Sequence, residues 1–166
     1  LLVGILPGIA LGLAATSLVG QALGRGDVVD AKQWGFDVLK CGIVILGVLG
    51  LPMLLVPELI LRIFVQDPET IAAAVTPMRV SGLGLSIDSV GLVLQNALLG
   101  AGDTKRTAAV SIGMQWIVFL PSAYLIGPVA GYGLLGIWLV RMSYRALQSI
   151  IFLMMWRGEK WSQIRI

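Results

Sequence analysis

Apolar residues fill this chain in long runs, broken by short clusters of glycine, proline and charge. Five runs reach the roughly 20 residues a helix needs to cross a bilayer's hydrocarbon core. They predict spans over about 1–23, 38–64, 68–100, 104–126 and 134–156, in one transmembrane domain covering 1–166. The expected fold class is all-α, a polytopic integral membrane helix bundle of about five transmembrane helices.

The third run is the most informative. It opens Asp67-Pro68-Glu69-Thr70, an N-cap followed by proline at the first helical position, and closes on the glycines of Gly100-Ala101-Gly102-Asp103. Pro77 should kink it. From Met78 to Leu99 it is apolar except for Arg79 at its start, Asp88 near the midpoint and a few small or polar residues. At about 100° per residue, Ser81, Gly84, Asp88, Gly91 and Gln95 fall on one stripe. A carboxylate facing lipid costs several kcal/mol, about 3 by insertion scales, so this stripe should face protein or water. Asp88 either binds a cation or proton, or bonds structurally to a neighbouring helix. Intramembrane acids favour the first reading.

The other runs supply possible walls. In the first span Gly4, Gly8 and Gly12 recur at every fourth residue and invite close helix approach, while Ala10, Ala14, Ser17 and Gln21 form a small or polar face. Gly24-Arg25-Gly26-Asp27 ends that span. A short amphipathic piece with Lys32, Trp34 and Lys40 suits headgroup level, as a plain solvated loop also would. The second span holds Pro52 and Pro57, and Glu58 and Arg62, four apart, are expected to pair at the outer interface. On the fourth, Asp103 should cap the start, Ser111, Gln115 and Ser122 share a face, and Pro121 interrupts the backbone ladder. A turn over 127–133, flanked by Tyr124 and Tyr132, suits the outer interface. The fifth carries Arg141, Arg145 and Gln148. Arg145 lies too deep to snorkel easily, and Asp88 is the one acid at comparable depth.

Composition reinforces this reading. Of 166 residues, 57% are hydrophobic and 13% charged, with mean hydropathy +0.92, values foreign to soluble domains. The net charge of +3 does not imply nucleic acid, because the basic residues sit beside apolar runs instead of forming a patch. Arg25, Lys32, Lys40, Lys105, Arg106, Arg157, Lys160 and Arg165 fall on one side, against Arg62 and Arg79 on the other. That asymmetry places the C-terminus inside and, with five spans, the Leu1 end outside. There is no histidine and a single cysteine, which excludes an internal disulfide and a His/Cys metal site. Cys41 is expected to be a small buried hydrophobe. Without histidine, paired intramembrane acids, or a Ser/Lys or Cys/His arrangement, an enzyme is not expected. Leu1-Leu2-Val3-Gly4 has no basic leader or cleavage site, so the sequence is expected to be a piece of a longer protein.

Leu23-Gly24-Arg25-Gly26-Asp27 and Leu99-Gly100-Ala101-Gly102-Asp103 match at four of five positions. Neither has the spacing or Lys-Ser/Thr pair of a P-loop. Together with the glutamine-ended first span, from Leu6-Pro7-Gly8 to Gly20-Gln21-Ala22-Leu23-Gly24, the Gly100-Ala101-Gly102-Asp103-Thr104 turn and the closing Trp156-Arg157-Gly158-Glu159-Lys160-Trp161, they make the chain resemble the multidrug and toxic compound extrusion (MATE) transporters. The resemblance covers nearly the whole chain. It implies two six-helix lobes, of which this would be most of the C-terminal one, with the N-terminal lobe as its partner. It further implies sodium- or proton-coupled antiport of cationic or amphipathic small molecules across the inner (plasma) membrane. Asp88 falls where many bacterial members carry a C-lobe acid implicated in cation coupling, so that role transfers to Asp88 as a possible sodium site. The substrate-cavity residues expected beside it are Ser81, Gln95, Gln21, Gln115 and Arg145, and no resident cofactor is expected. The alternatives are a lipid-linked oligosaccharide flippase of the same superfamily, holding pyrophosphate on Arg141 and Arg145, and a non-transporting membrane scaffold.

Overall fold

The computed structural model describes residues 2–129 and 133–163, and within them the chain is helical almost throughout. Tyr132, expected at the outer interface, and Arg165, expected in the basic tail, lie outside the described residues. The elements are α1 (Leu2–Gly24), α2 (Val28–Leu55), α3 (Pro57–Phe64), α4 (Pro68–Gly100), a composite helix beginning with α5 (Thr104–Gly113), and α7 (Gly133–Arg157). The composite helix continues as a π-helical turn (Met114–Phe119), α6 (Leu120–Tyr124) and a second π-helical stretch (Leu125–Val129). Among the described residues, α1, α2, α4 and the helix over 104–127 are long and apolar enough to cross a membrane. At 25 residues α7 matches them in length but carries Arg141, Arg145 and Gln148.

Two identical turns organise the bundle. After α1, Asp27 N–H donates to Ala22 O at 3.0 Å and Gly26 N–H to Leu23 O at 2.9 Å. After α4, Asp103 N–H donates to Leu98 O and Gly102 N–H to Leu99 O, both at 3.0 Å. This is the Schellman stop, and it needs a residue with positive φ: Gly26 at 78° and Gly102 at 79° supply it. The repeated pentapeptide is thus one backbone motif used twice. The caps that follow differ. Asp27 accepts from Asp30 N–H at 2.9 Å, whereas the side chain of Asp103 makes no cap hydrogen bond, contrary to expectation. Its carboxylate is nearly buried and lies 3.8 Å from Arg106, while its carbonyl accepts from the Thr107 hydroxyl at 2.6 Å.

α4 is the hub, packing against α1, α2, α3 and α7. Small residues set these approaches. A Cβ on Gly12 would stand 2.7 Å from Asn96 Nδ2, and one on Gly50 would stand 2.4 Å from Gly82 O. Thr16 of α1 donates to Asn96 O of α4 at 2.9 Å, the kind of interhelical bond that low-dielectric surroundings favour. The dense core lies towards the end bearing the two turns: Ala15, Val19, Leu94, Leu98, Phe152, Trp156 and Trp161 are fully buried. There Trp161 stacks on Trp156 at 4.3 Å, donates its indole N–H to Trp156 O at 2.8 Å, and Glu159 pairs with Lys32.

Several expectations need correction. The amphipathic piece before residue 38 is no separate segment, because α2 runs unbroken from Val28; nothing between Asp27 and Leu51 breaks a helix. The span expected over 38–64 is two helices. Pro57 has no N–H and pushes Val56 out of the helical region, to φ −131° and ψ 50°. Glu58 and Arg62 of α3 line the same clefts but form no ion pair, each being exposed. Cys41 is exposed on α2, beside the outward-facing Val44 and Val48. In a membrane bundle the outside is hydrocarbon, so a small apolar thiol is at home there. Pro121 acts as expected on the ladder: the Leu120 N–H reaches back to Gln115 O, five residues away, the widened pattern of a π-turn.

Candidate functional site

The stripe of α4 that carries Asp88 faces α7. Gly84 and Gly91 allow the approach: a Cβ at Gly84 would meet Met142 Cε at 3.0 Å, and one at Gly91 would meet Ser149 Oγ at 2.8 Å. Ser149 of α7 also donates to Ile87 O at 3.1 Å. One turn earlier on α7, Arg145 Nε donates to Asp88 Oδ1 at 2.7 Å, and its Nη1 donates to Gln148 Oε1 at 3.1 Å. Two opposite charges in the bilayer interior thus cancel in contact, as neither could cheaply stand alone there.

The pair is not sealed in. The side chains of Arg145 and Asp88 are 25% and 33% exposed, and they open on a cavity of about 530 Å³ lined by Ser81, Gly84, Trp138, Arg141 and Met142, with Met53 contributed by α2. Ser81 donates to Pro77 O at 2.8 Å, one turn back along α4, so its hydroxyl is satisfied within its own helix.

A second, polar cleft of about 550 Å³ lies on the far side of Arg145, lined by Gln95, Ser111, Gln115, Tyr144, Arg145 and Gln148. Its floor is a set of neutral bonds: Tyr144 Oη donates to Gln115 Oε1 at 3.1 Å, and Gln95 Nε2 donates to Ser111 Oγ at 3.4 Å. Arg145 is the one side chain common to both spaces.

Of the six residues expected at the site, Asp88, Ser81 and Arg145 therefore meet in one cavity, and Gln95, Gln115 and Arg145 meet in the neighbouring cleft. Gln21 joins neither. It is exposed on α1 and donates only to Ser17 Oγ, at 3.0 Å. The adjacent Gly20 lies against Gly100 O, at the turn end of α4, twelve residues and about 18 Å of helix away from Asp88. Trp138 and Tyr144 were not anticipated. The signal for Trp138 was its position one turn before Arg141; for Tyr144 there was none, because its register against Gln115 depends on the π-turn. Asp88 has no second acidic ligand beside it, and among the described residues no three His, Cys, Asp or Glu side chains cluster as metal ligands.

A bundle of long apolar helices whose central helix carries an ion pair open to a cavity is that of a multi-pass membrane protein. Comparison with known proteins narrows this. The MatE family matches residues 1–125, and the chain belongs to that family. It is 30% identical over 154 residues to the multidrug resistance protein NorM of Burkholderia vietnamiensis, covering 90% of this chain and 33% of that protein. It is 35% identical over 117 residues to a probable NorM of Pasteurella multocida, covering 70% of this chain and 25% of the other. A probable NorM of Thermotoga maritima is 26% identical over 162 residues, covering 95% and 34%. The chain spans about a third or less of the length of these relatives.

Proposed function

We propose that the whole protein is a secondary antiporter of the cell inner membrane that exports cationic or amphipathic compounds against sodium or proton entry, with Asp88 as a cation-exchange group. The observation that carries this reading is the Asp88–Arg145 contact at 2.7 Å on the wall of an open cavity. Arg145 serves as a built-in counter-cation. An entering cation takes Asp88 only if Arg145 lets go, and Arg145 already touches the polar cleft through Gln148 and has a neutral place to turn to. Exchange between a tethered and a free cation keeps the carboxylate compensated throughout, which low-dielectric surroundings demand. A proton needs only the one carboxylate; a sodium ion would have to complete its shell with waters or main-chain carbonyls.

The two guanidiniums on the cavity wall favour the flippase reading to a degree, since Arg141 and Arg145 could hold a pyrophosphate. Engagement of Arg145 by Asp88 and the similarity to NorM proteins weigh towards drug export. A scaffold would be expected to pack Asp88 dry, and it is not so packed.

Ethidium efflux from cells expressing the full-length parent tests the proposal. Asp88→Asn should abolish energised efflux at equal membrane expression. Efflux at the parent's rate would remove Asp88 from the mechanism.

A further inference from the structure

The cavity beside Asp88 holds one more charge than that pair accounts for. Arg141 lines the same wall as Arg145, one turn away on the same face of α7. The chain has nine acidic residues, all of them among the described residues, and no carboxylate of these lies within ion-pairing distance of Arg141. Its one charge-related contact is with an aromatic ring: Cζ sits 5.3 Å over the ring of Trp138. Two guanidiniums therefore face one carboxylate, and that carboxylate is taken by Arg145.

We propose that Arg141 and Trp138 form a subsite for the carboxylate of an aromatic, amphipathic substrate. This rests on the exporter reading, which it deepens by naming an acidic group on the exported compound. A guanidinium carries its N–H donors in one plane, as a rigid fork. That fork can grip a carboxylate through two parallel bonds, and the indole beside it attracts the cation without using up a donor. The cation–π contact by itself recovers little of what an uncompensated cation costs at membrane depth, so an anion is the ligand that completes the site.

The dimensions limit what enters. Of the cavity's 530 Å³, only about 40 Å³ admits the centre of a water molecule. A carboxylate fits such a slot; a whole drug-sized molecule does not. The ring of the substrate is left to the apolar lining, which includes Met53, Val80 and Met142, and unbranched thioethers adapt to rings of different outline. A pyrophosphate, needing two free guanidiniums, is poorly served while Asp88 holds Arg145.

Fluorescence anisotropy on the full-length parent in nanodiscs separates these outcomes with two dyes of one ring system: rhodamine B, a zwitterion with a free carboxylate, and its ethyl ester, a cation without one. The parent should bind rhodamine B more tightly than the ester. Arg141→Gln should weaken rhodamine B by about tenfold, the loss of one charge-assisted contact, and the ester by less than about twofold. Arg141→Lys, which keeps the charge but not the fork, should fall between, and it substitutes for the glutamine variant if that one fails to fold. Equal losses for both dyes, no loss for either, or a parent without preference for the carboxylate would overturn the subsite. Displacement of rhodamine B by micromolar inorganic pyrophosphate would overturn it in favour of a phosphate ligand. A parent that binds neither dye would instead sink the exporter reading itself.

Discussion

Asp88 and Arg145 hold each other's charge, so removing either one should cost more than removing both. Breaking a fully buried pair costs about 3–5 kcal/mol, and the cost here is smaller because a quarter to a third of each side chain meets the cavity. Thermal melts of the full-length parent should show Asp88→Asn and Arg145→Gln each lowering Tm, with the double variant nearer to the parent than the sum of the single effects. Strict additivity would mean the pair is not coupled. This contact was legible in the sequence for a simple reason: at comparable depth there was one acid and one deep arginine to meet it. Gln21 was misplaced because helical periodicity fixes a face and says nothing about height along the bundle. Cys41 was misplaced because the rule that cysteines are buried comes from proteins surrounded by water. The Tyr144–Gln115 bond could not be read at all, since it depends on the backbone register after Gly113.

Among the elements, the two Schellman turns look equivalent in sequence but carry different neighbours. Gly26→Ala and Gly102→Ala should each destabilise by about 1–2 kcal/mol, the cost of a side chain in the left-handed region. The preceding glycines should differ from one another. A Cβ on Gly24 would meet nothing within 4 Å, whereas one on Gly100 would stand 2.4 Å from Thr16 O. Gly24→Ala should therefore be neutral or slightly stabilising, and Gly100→Ala should separate α1 from α4 and lower Tm by several degrees; melts of the four variants check both pairs. At the start of α4, Asp67 accepts from Thr70 N–H at 2.9 Å and from the Thr70 hydroxyl. These bonds hold its carboxyl below the usual range. The cap is thus complete above the unfolded carboxylate value and is lost as pH falls through the lowered one. Amide exchange in the first turn of α4 should quicken on acidification in the parent, and Asp67→Ala should abolish that pH dependence. The stops were legible because glycine and aspartate chemistry is local; the break at Val56 was half-legible from Pro57, and the π-turns before Pro121 and around Pro128 were not, because widening is one of several ways a helix accommodates proline.

At the scale of the molecule, the sealed core lies at the turn end and the cavity further along α4, so the bundle is closed at one end and penetrable at mid-depth. By the positive-inside rule, the basic loops at Arg25, Lys105, Arg106 and Lys160 predict that the sealed end faces the cytoplasm. A cysteine introduced at Lys105 in the full-length parent should react with a membrane-impermeant maleimide in inside-out vesicles and not in intact cells; the opposite pattern would invert the topology. The helical class and the family were legible across the whole chain, since long apolar runs and the repeated glycine turns survive without tertiary information. The division of the polar residues into two spaces with Arg145 between them was not, because it arises from how α4, α7 and the composite helix are rotated against one another. Ion-driven release of a cationic dye from proteoliposomes holding the full-length parent tests the central claim most directly. Asp88→Asn should still bind the dye but show no acceleration of release when a sodium or proton gradient is imposed, whereas gradient-driven release at the parent's rate would contradict the account.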